Sequence, residues 1–112
     1  MLDKYILNEN GEPVIEHDIL KWAAWLEPAL SAGGTGVILQ EIDDVKVSTI
    51  FLSIDNNFFG TPPILWETMV FGGPLEGRMD RCSGSREQAM AMHARMVARV
   101  KAAKIPENKI KV

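Results

Sequence analysis

The chemically richest stretch of the chain reads IDNNFFGTPP. Asp55, Asn56 and Asn57 bring hydrogen-bond donors and acceptors suited to the polar edge of a sugar, a base or a peptide. The same residue types start turns by bonding their own backbone, and this structural role is favoured. Phe58 and Phe59 follow, and because adjacent side chains do not point the same way, we expect one ring to be exposed or to cover a pocket. The stretch is therefore the best candidate binding site in the sequence.

A second candidate is Glu67, the one acid inside an otherwise apolar predicted strand. Whichever face of the sheet it occupies, a carboxylate among apolar neighbours is costly to bury unless a donor such as Ser53, Thr49 or an arginine meets it. Structural pairing is therefore favoured over function. The alternative is that Glu67 and Asp55 form an acid–base pair, which would make the chain a small enzyme.

The other reactive residue types do not assemble into a site. His17 and His93 are the only histidines and lie far apart in the sequence, whereas a metal needs three or four convergent ligands. Cys82 is the only cysteine, so neither an internal disulfide nor a thiolate metal cluster can form. No base is identifiable for Cys82 or Ser53 as a nucleophile. We therefore expect no cofactor and no metal, and we favour a noncatalytic protein over an enzyme.

Composition and charge restrict the location and the class of partner. The chain has 112 residues, 46% of them hydrophobic, and a mean hydropathy of -0.01. No apolar run approaches the roughly 20 residues of a membrane helix, and the opening residues MLDKYILNENG do not form a secretory signal, so we expect a cytoplasmic protein without membrane contact. The net charge of -3 and the pI of 5.3 argue against broad nucleic-acid binding.

Basic residues concentrate toward the C-terminal end. From Arg95 onward the chain has six Lys and Arg residues against one acid, Glu107, for a net charge of +5, whereas the preceding residues have six basic and fourteen acidic residues, for a net charge of −8. A basic helix packed on its own acidic body is the favoured explanation. The alternative is a weak nucleic-acid binder that uses Arg95, Arg99, Lys101 and Lys104.

Turn and periodicity signals predict the first three elements. Two short strands over residues 4–7 and 13–16 flank an Asn-Gly turn. A helix follows Asp18, a favourable N-cap. Its predicted apolar stripe consists of Ile19, Trp22, Ala23, Leu26 and Leu30. Pro28 predicts that the regular helix ends near residue 26 or 27, because the residue before a proline avoids helical geometry. A further turn before Gly33-Gly34 is the alternative.

The second half of the chain predicts more strands and a final helix. The predicted strands cover residues 37–42, 46–55 and 64–71, with a short additional strand over 78–82. Ser85 and Gln88 form a capping box for a helix that continues to Pro106, and residues 106–112 form a polar tail that frays or adds a marginal edge strand. The order β-β-α-β-β-β-(β)-α predicts a single α+β domain over residues 1–112, with an antiparallel β-meander of about four to six strands packed against two helices.

The two longest predicted strands carry apolar residues on both faces. In residues 46–55, the predicted core face consists of Ser48, Ile50, Leu52 and Ile54. In residues 64–71, both alternating sets are substantially apolar. Such sheets are usually covered on both sides, so we expect a second copy of the chain to close part of a sheet face or an edge in a symmetric homodimer. The competing prediction is a monomer in which the helices and the N-terminal hairpin suffice.

The run VKVSTIFLSIDNNFFGTPPILWETMVFGGP, with a downstream segment MHARMVARV, resembles a group of small phage- and prophage-encoded proteins of unassigned function. Their pattern is close to VSTxFLxxDxNFxGxPPxLxETMVFGG, and the match covers roughly residues 45–100. The matching polar and aromatic candidates are Asp55, Asn57, Phe58 and Glu67. Asn56 replaces a histidine of the pattern, which weakens any acid–base role of this loop, and Phe59 is inserted in the glycine run. The resemblance implies a phage or prophage origin and action in the bacterial host cytoplasm, but it implies no substrate.

These features predict an accessory protein that binds a host protein or a small ligand. The predicted binding residues are Asp55, Asn56, Asn57, Phe58, Phe59 and Glu67. Replacement of Asp55 and Asn57 by alanine is expected to abolish binding without changing the melting temperature. An equal loss of stability would instead assign both residues to the turn.

Overall fold

The computed structural model describes residues 3–31 and 38–110, and their side chains except those of 30, 31 and 104–110. The elements, in chain order, are β1 (Tyr5–Leu7), β2 (Pro13–Ile15), α1 (Ile19–Ser31), β3 (Ile38–Ile42), β4 (Val45–Phe51), β5 (Trp66–Phe71), β6 (Met79–Cys82) and α2 (Arg86–Ile110). β1 and β2 form a hairpin, and the other strands form an antiparallel sheet in the order β3-β4-β5-β6. The predicted α+β class, with an antiparallel meander and two helices in this order, is confirmed.

The N-terminal hairpin is closed by one asparagine side chain. The Asn8 Oδ1 atom accepts hydrogen bonds from the backbone N–H groups of Asn10 at 2.9 Å and Glu12 at 3.0 Å. Gly11 takes a φ of 78°, which a residue with a Cβ adopts only with strain. The Asn-Gly signal therefore produces the predicted turn.

α1 begins as predicted but ends later. The Asp18 carboxylate caps its start by accepting hydrogen bonds from the N–H groups of Leu20 at 2.9 Å and Lys21 at 3.4 Å. The regular helix does not end near residue 26 or 27, because α1 continues through Pro28 to Ser31, as the alternative with a further turn predicts. A proline inside a helix removes the hydrogen bond to the carbonyl four residues earlier, and its ring also crowds that carbonyl. That carbonyl belongs to Ala24, an exposed residue, so water can replace the lost donor.

The buried side of α1 also differs from the predicted stripe. Ile19 is 59% exposed and Ala23 is exposed, whereas Trp25, which lies outside the stripe, is half-buried. Trp22 is half-buried, as the stripe predicts. The side chain of Leu30 is outside the described set.

Two indole rings determine this rotation of α1. The Trp22 Nε1–H group donates to the carbonyl oxygen of Ser53 at 3.1 Å. The Trp25 ring packs edge-on against Phe51, with ring centroids 5.9 Å apart. Because large rings bury more apolar area than the small side chain of alanine, the helix turns its tryptophans toward the core.

The main sheet is built from shorter strands than predicted. The strand predicted over residues 46–55 ends at Phe51, and Ser53 takes a φ of 54°, which breaks the regular pairing. Ile54 then forms only an isolated bridge with Lys4. The additional strand predicted over 78–82 is present as β6 and pairs with β5.

The core lies on the sheet face opposite to the one predicted for β4. Its buried positions are Val45, Val47, Thr49 and Phe51, each at most 1% exposed. In β5 the buried positions are Trp66, Thr68 and Val70, each 0% exposed. α2 covers this face with Ala89, Met92, Met96, Val97 and Val100. The prediction that Ser48, Ile50, Leu52 and Ile54 face the core is therefore wrong.

A buried hydrogen-bond chain explains how a polar position can belong to the core. The Thr49 hydroxyl lies 2.6 Å from the hydroxyl of its cross-strand neighbour Thr68 and 2.7 Å from Nδ1 of His93. The Nε2 atom of His93 lies 3.3 Å from Oε1 of Gln40. Burial lowers the pKa of His93, and a neutral ring that donates from Nε2 and accepts at Nδ1 satisfies both neighbours. The buried polar side chains of this face are therefore satisfied by hydrogen bonds within the protein.

The second face of the four-stranded sheet is not covered by any element in the described ranges. Tyr5, Leu7 and Trp25 join the same core cluster as Ala89 and Met92 of α2, so the hairpin and both helices pack on one side. The opposite side, here called the open face, consists of Leu39, Glu41, Lys46, Ser48, Ile50, Glu67, Met69, Phe71, Met79 and Arg81. Leu39, Phe71 and Met79 are 57%, 49% and 43% exposed. Five of these ten residues are apolar and five are polar or charged, so the second face is mixed rather than apolar throughout.

α2 has the predicted start and a later end. The Ser85 Oγ atom accepts a hydrogen bond from the Gln88 N–H at 3.2 Å, and Gln88 Oε1 accepts one from the Ser85 N–H at 3.3 Å. The helix continues past Pro106 to Ile110, at the cost of the hydrogen bond that the proline nitrogen cannot donate. Residues 111 and 112, the end of the predicted tail, lie outside the described ranges. Neither described helix is long and apolar enough to cross a membrane.

Candidate functional site

The loop between β4 and β5, residues 52–65, is organised by the side chain of Asp55. Its Oδ1 atom accepts hydrogen bonds from the N–H groups of Asn57 at 2.7 Å and Ile64 at 3.0 Å. One carboxylate thus joins the outgoing and returning arms of the loop. Hydrogen bonds to a charged acceptor are stronger than neutral ones, so Asp55 fixes the loop backbone.

Asn57 and Asn56 also bond within the loop. The Asn57 side chain donates from Nδ2 to the carbonyl of Pro62 at 2.7 Å and accepts at Oδ1 from the Phe59 N–H at 3.2 Å. Asn56 donates from its side chain to the carbonyl of Ile54 at 2.9 Å. The polar candidates therefore have the turn-forming contacts that their residue types favour.

These contacts change the expected result of replacing Asp55. We expect Asp55→Ala to lower the free energy of unfolding by about 2 kcal/mol, because two backbone donors lose a charged acceptor. Denaturant unfolding followed by tryptophan fluorescence measures the change. Asn56→Ala is the matched control, since its side chain makes one exposed local hydrogen bond, and we expect a loss of at most about 0.5 kcal/mol. Equal losses in the two variants would contradict a structural role for Asp55.

The two aromatic residues of the loop behave differently from its polar residues. Phe58 is 66% exposed and Phe59 is 99% exposed. The sequence predicts that one of the two rings is exposed or covers a pocket, and in the structure both are exposed. The loop is therefore an apolar tip, Phe58 and Phe59, on a hydrogen-bonded base.

Glu67 lies on the open face, and an arginine supplies its donor. The Arg81 Nε and NH2 groups both lie 3.0 Å from Glu67 Oε2, and the two residues are direct cross-strand partners of β5 and β6. The side chains are 15% and 39% exposed, in the order Glu67 and Arg81. A partly exposed pair of this kind contributes at most about 1 kcal/mol. The structural pairing favoured from the sequence is present.

The acid–base hypothesis gains no support from this placement. Asp55 accepts hydrogen bonds from the loop backbone, and Glu67 is paired with Arg81. Neither carboxylate is among the described residues that line the groove between this loop, β6 and α2. Both acids therefore have structural partners.

A groove of about 580 Å³ lies between the loop, the end of β6 and the first turns of α2. It is lined by Asn57, Pro62, Ile64, Arg81, Cys82, Ser83, Gln88, Ala91 and Arg95. Among these described residues there are two guanidinium groups and no carboxylate. Burial raises the pKa of the Cys82 thiol, with Arg95 opposing and Asp80 reinforcing the shift, so this thiol is not activated as a nucleophile.

Sequence reasoning did not identify this groove. Its lining comes from three segments that are distant along the chain, around Asn57, Ser83 and Arg95. The one local signal was the i, i+3, i+7 spacing of Gln88, Ala91 and Arg95, which places them on one side of a helix. From the sequence alone, Arg95 instead belongs with the basic residues of the C-terminal end.

The structure divides that basic surface. Arg99 lies 3.9 Å from Asp80, which offsets its charge. At 100° per residue, Lys101 lies roughly 200° around α2 from Arg99, on the other flank of the helix. The side chain of Lys104 is outside the described set. The described basic residues therefore do not form a single stripe facing a phosphate backbone.

Thr49 and His93 resemble a nucleophile and its base, because their side chains lie 2.7 Å apart. They are 0% and 5% exposed, however, and neither lines the groove. A substrate cannot reach a nucleophile enclosed in this way. Their contact belongs to the core.

No protein-family model, curated protein or solved structure matches this chain. The resemblance to phage and prophage proteins therefore stays a prediction. Three features of the surface are candidates for function, namely the exposed aromatic tip, the groove beside it and the open face.

Proposed function

We propose that this chain is a noncatalytic phage or prophage accessory protein that acts in the bacterial cytoplasm by binding a host protein, and that it is a homodimer. The observation that carries the binding proposal is the exposure of Phe58 and Phe59, at 66% and 99%. Both rings lie on a loop whose backbone is held by Asp55 and Asn57. An exposed tip of this kind suits a protein surface better than a small ligand, which needs an enclosing cavity.

Burial of the tip supplies the driving force for association. Transfer of a phenylalanine side chain from water to an apolar site is worth about 1.5–3 kcal/mol. Both rings have most of that area available. Because the loop is already hydrogen-bonded in one conformation, little additional backbone ordering opposes binding. The proposed role of Asp55 and Asn57 is thus to hold the tip.

The open face supports the homodimer. It presents apolar side chains across all four strands of the main sheet, and large exposed apolar patches of this kind mark interaction surfaces. Its four charged residues are Glu41, Lys46, Glu67 and Arg81. These charges cancel, so two copies of the face do not repel each other. A symmetric pair of such faces is the simplest closed arrangement.

The binding proposal predicts that the tip is required for capture of a host protein. The test variant is Phe58→Ser with Phe59→Ser, and the matched control is Ile19→Ser with Leu20→Ser, which replaces two exposed residues at 59% and 77% exposure at the start of α1. Immobilised wild type and control are expected to retain the same bacterial protein from a lysate, whereas the tip variant loses it. With the purified partner, we expect the dissociation constant to rise at least about 100-fold, from the lost burial of two rings.

Stability measurements separate binding from folding. Because both rings are exposed, the melting temperature of the tip variant is expected to match that of wild type. If the tip variant retained the same protein with unchanged affinity, or if wild type retained none, the binding proposal would be wrong.

A further inference from the structure

We infer that the groove beside the tip is a carboxylate-binding subsite, in which Arg95, Gln88 and Ser83 hold an acidic side chain of the bound protein. This inference depends on the proposed function and names the chemistry of the partner segment. The groove lies beside the base of the tip, because Asn57 and Pro62, on either side of the two phenylalanines, line it. A segment that crosses Phe58 and Phe59 can therefore extend into the groove.

The polar groups of the groove are predominantly donors. The Arg95 guanidinium has only N–H donors. Gln88 uses its Oε1 atom to accept from the Ser85 N–H at 3.3 Å, which leaves its amide NH2 to donate. Ser83 adds a hydroxyl, and the side chain of Asn57 is already engaged within the loop at both Oδ1 and Nδ2. A donor-rich lining is complementary to a group that only accepts, such as a carboxylate.

Arg95 differs from Arg81 and Arg99 in its lack of an acidic partner among the described residues. Arg81 is paired with Glu67 at 3.0 Å, and Arg99 lies 3.9 Å from Asp80. Over the part of the chain that the structure describes, no ion pair joins Arg95 to an acid. A chain of net charge -3 thus keeps an available guanidinium at a groove whose described lining has no carboxylate. A planar guanidinium binds a carboxylate through two parallel hydrogen bonds.

The shape of the groove favours a peptide over a free anion. Its volume of about 580 Å³ lies within the roughly 300–1,000 Å³ of clefts that enclose ligands much larger than a single anion. Ala91 lies between Gln88 and Arg95 on the same side of α2, and its small side chain leaves room above the helix. Apolar atoms of Pro62 and Ile64 complete the lining. The mixture of donors and apolar surface suits an acidic residue with its flanking chain.

Nuclear magnetic resonance titration of the isotope-labelled full chain tests the inference. The probe is a capped hexaglutamate peptide at low salt, with capped hexaglutamine and inorganic phosphate as comparison ligands. We expect hexaglutamate to shift the Arg95 Nε–H signal and the amide signals of Ser83 and Gln88 saturably, and hexaglutamine to shift none of them. Arg95→Gln is expected to weaken hexaglutamate binding roughly fivefold or more.

Arg99→Gln is the matched control, because it removes the same charge one helical turn away at a residue outside the groove lining. Its affinity for hexaglutamate is expected to stay close to that of wild type. The inference is wrong if hexaglutamate leaves the groove signals unchanged, or if the two variants weaken binding equally. Phosphate binding of equal affinity at the same signals would assign the groove to free anions and would also overturn it.

The same titration separates this inference from the proposed function. The variant with both Phe58 and Phe59 replaced by serine keeps every groove residue, so it is expected to bind hexaglutamate as wild type does. Loss of host-protein capture with retained peptide binding supports both proposals. Retained capture with no peptide binding would overturn the groove alone, and peptide binding without any capture by wild type would overturn the proposed function.

Discussion

Trp66→Ala is expected to lower the free energy of unfolding by about 3–5 kcal/mol, the range for removal of a large buried ring. Trp66 is 0% exposed, and its ring centroid lies 5.1 Å from that of Phe51. Its Nε1–H group donates to the carbonyl of Gly84 at 3.1 Å. The substitution thus creates a cavity and also leaves a carbonyl without its donor. Since a domain of this size has about 5–15 kcal/mol in total, much of its stability is lost.

Urea denaturation followed by far-ultraviolet circular dichroism measures this loss. Trp66→Phe is the matched variant, because it keeps an aromatic ring against Phe51 but removes the hydrogen bond to Gly84, and we expect a loss of about 1–2 kcal/mol. Phe59→Ala, at a residue 99% exposed, is expected to stay within about 0.5 kcal/mol of wild type. A Trp66→Ala variant as stable as Phe59→Ala would contradict the assignment of Trp66 to the core.

Trp66 also connects the core to the groove. Gly84 lies between Ser83, which lines the groove, and Ser85, which caps α2. The hydrogen bond from Trp66 therefore holds the segment that positions two of the proposed carboxylate donors. Loss of this contact is a structural effect, so the surface variants Arg95→Gln and Arg99→Gln are the appropriate tests of the groove.

Local signals predicted the elements that depend on neighbouring residues. The cap at Asp18, the capping box of Ser85 and Gln88, and the Asn-Gly turn all form the predicted hydrogen bonds. Each involves atoms within a few residues of one another, so tertiary context does not need to be known. The α+β class follows from the same signals, because they separate the strands from the helices.

The features that were predicted incorrectly or missed depend on contacts between residues that are distant in the sequence. The core face of β4 was assigned to the wrong side because the true core face carries Thr49 and, in the longer predicted strand, also Ser53 and Asp55. The compensation of Thr49 by Thr68 and His93 depends on β5 and α2. The rotation of α1 depends on the contact of Trp25 with Phe51. The groove likewise brings together three segments separated along the chain. Periodicity describes one element at a time and does not contain this information.

In the candidate loop, the sequence predicted the role of the polar residues but not the exposure of both aromatic residues. Asp55 and Asn57 adopt the turn-forming role that their residue types favour. The double exposure of Phe58 and Phe59 was not predicted, because hydrophobic residues are more often buried than exposed. The binding proposal therefore depends on Phe58 and Phe59 and not on the polar residues of the loop.

Met69→Lys is expected to convert the proposed homodimer into a monomer. Met69 lies near the middle of the open face, between its cross-strand neighbours Ser48 and Met79. A lysine there would place an unpaired ammonium group in the interface, and such burial costs several kcal/mol. We therefore expect the dimer dissociation constant to rise at least about 100-fold, which corresponds to roughly 2.7 kcal/mol.

Sedimentation velocity of the full chain over a range of concentrations measures this change. Wild type is expected to sediment with twice the chain mass of 12.4 kDa, and Met69→Lys with the mass of one chain. Met90→Lys is the matched control, because Met90 is a 48% exposed methionine on α2, away from the open face, and we expect it to remain dimeric. A monomeric wild type at about 100 μM, a concentration at which mass action favours association, would contradict the homodimer. A Met69→Lys variant that dimerises as well as Met90→Lys would also contradict it, because the open face would then not be the dimer interface.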